Sequence, residues 1–445
     1  MKEIRGCDEH TYGGVMMRII HTSDWHFGKT LEGRNRLEEQ RQFAHELIAI
    51  CDREQVDLVL IAGDIYQTVN PSAEAETLFY QTINGLSAGG TRGVVVIAGN
   101  HDHADRIAAA KPLADQLGIT LIGLPKEVLG STQSVEEQVA RVQAGLGYVE
   151  LAIPGCSESV VIVALPYPSE SRLQEVLSDT LDERTLQEKY NDRIRTFFAQ
   201  AATHFREDTI NLVMSHVYVR GGLESDSEIQ IQIGGAYAID PDVFPRNAQY
   251  VALGHLHRPQ AVSHGHDALG PIIRYAGSPL SYSFSEAGQQ KSVVLLDASP
   301  GQAIAWREIP LQSGKSLVRW KAKQGIEQVR AWVEEERDAN AWIDLEVHVT
   351  TSLQLEEIHQ LRDLHPGFVH IRPILPTQEV LDTTEQQAEA SLSIEEIFRR
   401  FYQGKNGVPP DEALVQLFLS LLSEEQESIL PEEVSLEQGT KEEAR

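Results

Sequence analysis

The chain has 445 residues, a formal net charge of -28 and a pI near 4.9. Such an acid excess argues against a protein that grips DNA phosphates unaided, because those contacts come from Lys and Arg. No apolar run approaches the ~20 residues that cross a bilayer, so a membrane partner is not expected. Three widely spaced cysteines, Cys7, Cys51 and Cys156, exclude a disulfide framework and a thiolate metal site, and fit a reducing cytoplasm.

Residues 1–16 are polar and lack the apolar stretch of a secretory signal, and are expected to be a disordered extension ahead of a start at Met16 or Met17. From residue 17 to 312, short apolar runs alternate with longer amphipathic stretches, the layout of an α/β domain. RIIHTSD, DLVLIAGD, GVVVIAGN, INLVMSH and YVALGH are apolar almost throughout, which predicts strands covered on both faces. Between the first two, Leu37, Phe43, Ala44, Leu47, Ile48 and Cys51 recur at helical spacing. Further strands are predicted in IIRYAGSPLSYSF, SVVLLD and AIAWREI. Residues 313–376 read helix, strand (IDLEVHV), helix, strand (FVHIRPI), a small α+β unit. A polar linker over 377–392 follows. Within 393–422, Ser393 and Glu396 have capping-box spacing ahead of Ile394, Phe398 and Phe401. Leu414, Leu417, Phe418 and Leu421 then make a stretch too apolar to stand in water, so these helices are expected to fill a partner's groove, the plain alternative being that they fold back on this chain's own core. Residues 423–445 form an acidic tail.

The chemistry lies at the strand ends. In order they carry Asp24 and His26, then Asp64, then Asn100, His101 and Asp102, then His216, then His255 and His257. In open α/β sheets the carboxyl ends of strands gather ligands, so these distant segments are expected to converge on one site. Any one of these fragments alone is a weak signal, and an isolated strand-end His is usually just solvated; the ordered set is specific. Carboxylate, imidazole and amide oxygen without sulfur point to two divalent ions, manganese first, with Asp64 as their natural bridge. Two ions roughly 3.5–4 Å apart would activate a shared water for in-line displacement at phosphorus. His101 is placed to stabilise the pentacoordinate state or to protonate the leaving oxygen, with Asp102 orienting it.

The ordered set DxH, GD, GNHD, H and GHxH resembles the calcineurin-like metallophosphoesterase superfamily. That resemblance implies a four-layer sandwich of two mixed sheets flanked by helices. It also implies one metal held by Asp24, His26, Asp64 and His257, a second held by Asp64, Asn100, His216 and His255, and a catalytic role for His101. Longer stretches, among them TSDWHFGKTLEGRNR, SHVYVRGGLESDSE, VALGHLHRPQ, RYAGSPLSYSFSEAGQQKSVVLLD and FRRFYQGKNG, are similar to the SbcD family of bacterial nuclease subunits. This narrower likeness implies a DNA exonuclease and endonuclease of repair, recombination and replication. Its partner would be an SbcC-type ATPase bound through the C-terminal helices, with a homodimer of the nuclease inside a heterotetramer and the α+β unit of residues 313–376 as a small DNA-touching cap. Archaeal and eukaryotic relatives of that nuclease have a His three residues after the bridging Asp, where this chain has Gln67. Lys29, Arg34, Arg36 and Arg220 are candidates for DNA phosphate contacts, with a solvated loop as the plain alternative. The competing enzyme reading is a metallophosphoesterase acting on a small phosphodiester or monoester, which would need neither cap nor terminal helices; a non-catalytic scaffold would be expected to have lost ligands.

Overall fold

The computed structural model describes residues 16–133, 135–173, 183–228, 237–263 and 270–375, with isolated positions at 398, 399, 402, 410, 414 and 415. Residues 1–15, the expected linker, the acidic tail and, within the expected terminal helices, Ile394, Phe401, Leu417, Phe418 and Leu421 lie outside the described residues. The chain parts into two compact units, the first running to Val347 and including Gln354–Arg372, the second comprising His348–Leu353 and the chain from Pro373 onward.

In the first unit, β1 (Met17–Thr22), β2 (Leu58–Ala62), β3 (Gly93–Ile97) and β4 (Ile119–Ile122) run parallel. They share a six-stranded sheet with β12 (Ser292–Ala298) and β13 (Ala305–Pro310), which add antiparallel beyond β1. The second sheet has the order β10-β11-β9-β8-β7-β6-β5. Its strands are β5 (Ala140–Gly145), β6 (Tyr148–Ala152), β7 (Val160–Leu165), β8 (Ile210–His216), β9 (Tyr250–Gly254), β10 (Gln260–Val262) and β11 (Ile272–Tyr275). Here β7, β8, β9 and β11 are parallel.

Side chains alternate across each strand, and on the central strands of both sheets both faces are dry. Ile20, Val59, Ile61, Val94 and Val96 pack outward on α1 (Leu37–Arg53) and α2 (Ala73–Leu86), while Ile19, Leu58, Leu60, Val95 and Ile97 point inward. Against that inner face lie Ile162, Leu212, Met214 and Ala252 of the second sheet. Val163, Val213, Val251 and Leu253 face the other way, onto α3 (Glu183–Ala201), whose buried Tyr190, Ile194, Phe198 and Ala201 form one helical stripe. The expected four-layer order, helix, sheet, sheet, helix, therefore follows from apolar runs buried on both sides, each such side chain contributing about 1.5–3 kcal/mol. α1 presents the predicted face: Phe43, Ala44, Leu47 and Cys51 are buried, with Leu37 and Ile48 packed at its margin. Ser72 caps α2 by accepting from Ala75 N.

The predicted α+β segment forms a three-stranded sheet, β14 (Leu317–Ala322), β15 (Trp342–His348) and β16 (Phe368–Ile374), with helices α4 (Ile326–Glu334) and α5 (Leu355–Leu364). The expected division at residue 312 is not a gap in packing, because Leu317, Trp342 and Val369 share an apolar cluster with Leu31 and Phe284. Glu39 stitches the same seam, accepting from Trp342 Nε1 at 3.0 Å and Lys315 N at 2.6 Å. In the second unit Val349 N donates to Ile374 O at 3.0 Å, and the Phe398 and Tyr402 rings lie 6.1 Å apart. Among the described residues no helix is long and apolar enough to cross a membrane.

Candidate metal centre

β1, β2 and β3 of one sheet and β8 and β9 of the other end on the same rim. Each ends in, or is followed within a few residues by, one of the expected strand-end residues, and β2 packs directly on β8 and β9. The crossing is close enough to demand glycine. A Cβ on Gly99 would stand 2.1 Å from Asp64 Oδ1, and one on Gly254 would stand 1.9 Å from Ala62 O. Asp24, His26, Asp64 and His255 all adopt positive φ, which a non-glycine residue holds only when its surroundings enforce it. Backbone bonds supply that enforcement: Asp24 N donates to Gly63 O, His26 N to Asp64 O, and His255 N to Asp24 Oδ1 at 3.0 Å.

All seven expected ligands converge. His26 Nε2 faces His257 Nε2 at 3.0 Å, and Asp64 Oδ2 lies 3.4 Å from His216 Nε2 and 3.7 Å from His26 Nε2. Asn100 Oδ1 is approached by His216 Nε2 at 2.8 Å and His255 Nδ1 at 3.1 Å. Asp24, His26 and His257 form one cluster able to hold an ion, and Asp24, Asp64 and His216 another. Every one of these side chains except Asn100 is at least 96% buried.

The hydrogen-bond roles show that this set fits cations. His216 Nδ1 lies 2.8 Å from Ala62 O, which can only accept, so Nδ1 carries a proton, and Nε2 faces two oxygens across a gap that only a proton or a cation can fill. His26 Nδ1 is buried without a hydrogen-bond partner among the described residues, while its Nε2 meets another ring nitrogen. Opposed lone pairs in a dry site are costly unless a cation or proton stands between them. The electrostatics agree. Burial alone would lower the His216 imidazole, but the Asp64 carboxylate outweighs it and raises it to about 9. Burial would raise Asp64, yet His216, His101 and His26 hold it well below the usual carboxylate range. Burial pushes Asp24 up to about 8 and His255 and His257 down to about 3 and 4, states that a divalent ion would reverse for Asp24 and exploit for the two neutral imidazoles.

His101 sits beside this cluster, 8% exposed, with Nε2 4.0 Å from Asp64 Oδ2. Its Nδ1 donates to Gln67 O at 2.8 Å, so the ring's free nitrogen is Nε2. Asp102 does not orient it, contrary to expectation. That carboxylate turns inward and accepts from Gly99 N at 2.8 Å, Tyr66 N at 2.9 Å and Ile65 N at 3.1 Å, fastening the loops after β2 and β3 together. The backbone of Gln67 thus does what Asp102 was expected to do, while the Gln67 side-chain oxygen is buried without a partner among the described residues.

The expected DNA-contacting cations divide. Arg36 is corrected outright: it is 1% exposed, its guanidinium gripping Glu39 at 2.6 and 2.8 Å and Ser281 O at 2.9 Å, so it braces the cap seam. Arg34 donates to Phe368 O of the cap at 3.0 Å. Lys29 is half-buried at the rim of the site, bonded to Ser227 O at 2.9 Å and 5.1 Å from the Tyr282 ring centroid. Arg220 is exposed, 3.1 Å from Asp240.

Sequence reasoning missed the support under His257. Ser227 Oγ meets His257 Nδ1 at 2.5 Å and donates to Glu286 Oε1 at 2.6 Å. Glu286, fully buried, is paired with Lys291, whose ammonium also reaches His257 O and Ser278 Oγ. A buried carboxylate behind a ligand imidazole fixes its orientation. Glu286 and Lys291 lie in the stretch SFSEAGQQK, and only their position ahead of β12 hinted at a site role.

Residues 17–259 match the calcineurin-like phosphoesterase family, and residues 314–406 match the type 5 capsule protein repressor C-terminal domain. The SbcD subunit of the SbcCD nuclease of Bacillus subtilis (strain 168) is 48% identical over 408 residues, covering 92% of this chain and 98% of that protein. The chain belongs to the SbcD family, a branch of the calcineurin-like phosphoesterases. Proteins of the same designation from Rhodobacter capsulatus (34% identical, 69% of this chain and 72% of that one) and Escherichia coli K12 (26%, 86% and 92%) are also similar. The C-terminal match begins three residues before β14 and so takes in the small three-stranded α+β unit.

Proposed function

We propose that this SbcD-family chain is a two-metal phosphodiesterase that cuts DNA, as exonuclease and endonuclease, in repair, recombination and replication. The observation that carries the reading is the single buried cluster built by five strand-end segments of two sheets, with His101 beside it. Asp24, His26, Asp64 and His257 would hold one divalent ion, and Asp64, Asn100, His216 and His255 the other, with manganese favoured by the O/N donor set. Bound there, the ions would supply an activated water and a clamp on the phosphoryl oxygens. The chain's own residues do the rest. His101, anchored by its Nδ1–H on Gln67 O, keeps Nε2 for the proton that a departing alkoxide needs. Lys29 brings a positive charge to the rim, where a scissile phosphate would lie.

The net charge of -28 argues for a partner that shares the DNA grip. We assign that part to an SbcC-type ATPase bound by the C-terminal segment, on the apolar pattern of residues 393–422 and the SbcCD designation of the relatives, with a nuclease homodimer in the complex and the cytoplasm as its compartment. The small-ester reading is disfavoured because the cap and the C-terminal family match have no use in it.

The test is cleavage of end-labelled linear duplex and hairpin DNA with manganese, with and without the ATPase partner, for wild type and His101→Gln, alongside bis-p-nitrophenyl phosphate. DNA cleavage that the variant loses is the expected result. Hydrolysis of the small ester with no DNA cleavage, even with the partner present, would replace the nuclease with a small-substrate phosphodiesterase.

A further inference from the structure

The turn that carries Asn100 and His101 is gripped from outside by a residue of the opposite sheet. After β7, the helical turn Glu170–Leu173 is seated by the buried Leu173, and Arg172 reaches from it across the rim. Its Nη1 donates to Gly99 O at 2.7 Å and its Nη2 to Asp102 O at 2.5 Å. Two prongs of one planar guanidinium thus bracket Asn100 and His101 between them. The guanidinium is 5.5 Å from the Tyr167 ring centroid, and Tyr167 N itself donates to Ala98 O at 3.0 Å, so the same strut continues one residue further back along the chain. On the inner side, Asp102 takes Gly99 N and Asp64 takes His101 N. The turn is therefore fixed on both faces, and the outer hold comes from the segment after β7.

We infer that Arg172 is a positioning residue that sets His101 for proton delivery to the leaving oxygen. The inference rests on the phosphodiesterase reading above. Arg suits the task because its fork delivers two divergent N–H bonds at fixed spacing, whereas a Lys ammonium is a point donor on a flexible stem. A shift of His101 by about 1 Å would cost on the order of 10- to 100-fold in rate without weakening substrate binding, while Asn100, inside the same bracket, is also met by His216 Nε2 at 2.8 Å and His255 Nδ1 at 3.1 Å, contacts that Arg172 does not supply.

The test compares wild type, Arg172→Ala, Arg172→Lys, His101→Gln and the Arg172→Ala/His101→Gln double variant, with manganese. Substrates are DNA, whose alkoxide leaving group needs a proton, and bis-p-nitrophenyl phosphate, whose nitrophenolate does not. Manganese binding to each variant is titrated separately, and thermal melts report folding. The expected result is a 10- to 100-fold lower kcat on DNA with unchanged KM, a much smaller effect on the nitrophenyl ester and unchanged manganese binding. Arg172→Lys should recover little, added guanidinium should restore part of the Arg172→Ala rate, and the second substitution should cost nothing further in the His101→Gln background. Equal slowing of both substrates, a multiplicative loss in the double variant, or manganese binding lost in step with activity would overturn the inference. Wild type inactive on both substrates would instead overturn the phosphodiesterase reading, and this inference with it.

Discussion

Asp102→Asn separates two accounts of the motif that follows β3. If the carboxylate oriented His101, the amide would cripple turnover and spare the fold; if it is the three-way fastener described above, the fold suffers first. Oδ2 accepts from Gly99 N and Ile65 N, and Oδ1 from Tyr66 N. An asparagine oxygen can keep the first pair, but its NH2 then meets the Tyr66 N–H, donor against donor, and strands a buried group at about 1–3 kcal/mol. The two surviving bonds lose their charge assistance, roughly another 1 kcal/mol each. Against this stands the strain of the buried charge itself: burial and the nearby Asp64 raise the Asp102 carboxyl to about 6, and removing that charge returns part of the loss. The net expectation is about 1–3 kcal/mol of destabilisation, read as a lower urea midpoint for the catalytic unit at constant manganese, with kcat at 25 °C within a few-fold of wild type. An unshifted midpoint together with a hundred-fold lower kcat would refute the fastener and reinstate Asp102 as the orienting partner.

Arg36→Met should cost about 3 kcal/mol, because it leaves Glu39 buried with its strongest partner gone; DNA affinity measured by anisotropy should stay unchanged, and a selective loss of affinity in a stable variant would restore Arg36 to the DNA surface. His21, sealed between Tyr250 Oη and Leu253 O, is driven by burial down to about 3, so between pH 6.5 and 3 the unfolded chain binds one proton more than the folded one at this position. Stability should accordingly fall as pH drops, and His21→Gln should reduce that slope by one proton, about 1.4 kcal/mol per pH unit, in urea midpoints taken from pH 6.5 to 4.5; parallel pH profiles would contradict it. Chelation with EDTA should lower the melting temperature and manganese at about 100 times its dissociation constant should restore roughly 2.7 kcal/mol, whereas a melting curve blind to chelator would mean that the facing nitrogens of His26 and His257 do not await an ion.

What the sequence could disclose here follows from how each kind of information is encoded. Strand cores such as Leu58–Ala62 and Gly93–Ile97 are legible because burial on both faces forces an unbroken apolar run, and the candidate ligands are legible because a parallel sheet puts its chemistry at one end of each such run. β7 has the same apolar signature, Val160–Leu165, yet a reading led by ligand-type residues passes over it, since Pro166 follows rather than an Asp or His. Its contribution comes seven residues beyond its end, through Arg172, by donating to backbone carbonyls of the other sheet. Nothing in a one-dimensional pattern marks such a contact. The acceptors Gly99 O and Asp102 O are properties of a fold, and any residue could have offered them. The same limit explains Arg36 and Asp102. A cation two residues after Arg34 and an acid next to His101 look alike in sequence whether they face solvent, substrate or the interior, and only the direction of the side chain, inward to Glu39 and inward to the Ile65, Tyr66 and Gly99 amides, distinguishes binding from bracing. Residue type at a strand end therefore marked the candidate ligands, while the groups that hold them in place became visible only once both sheets were assembled.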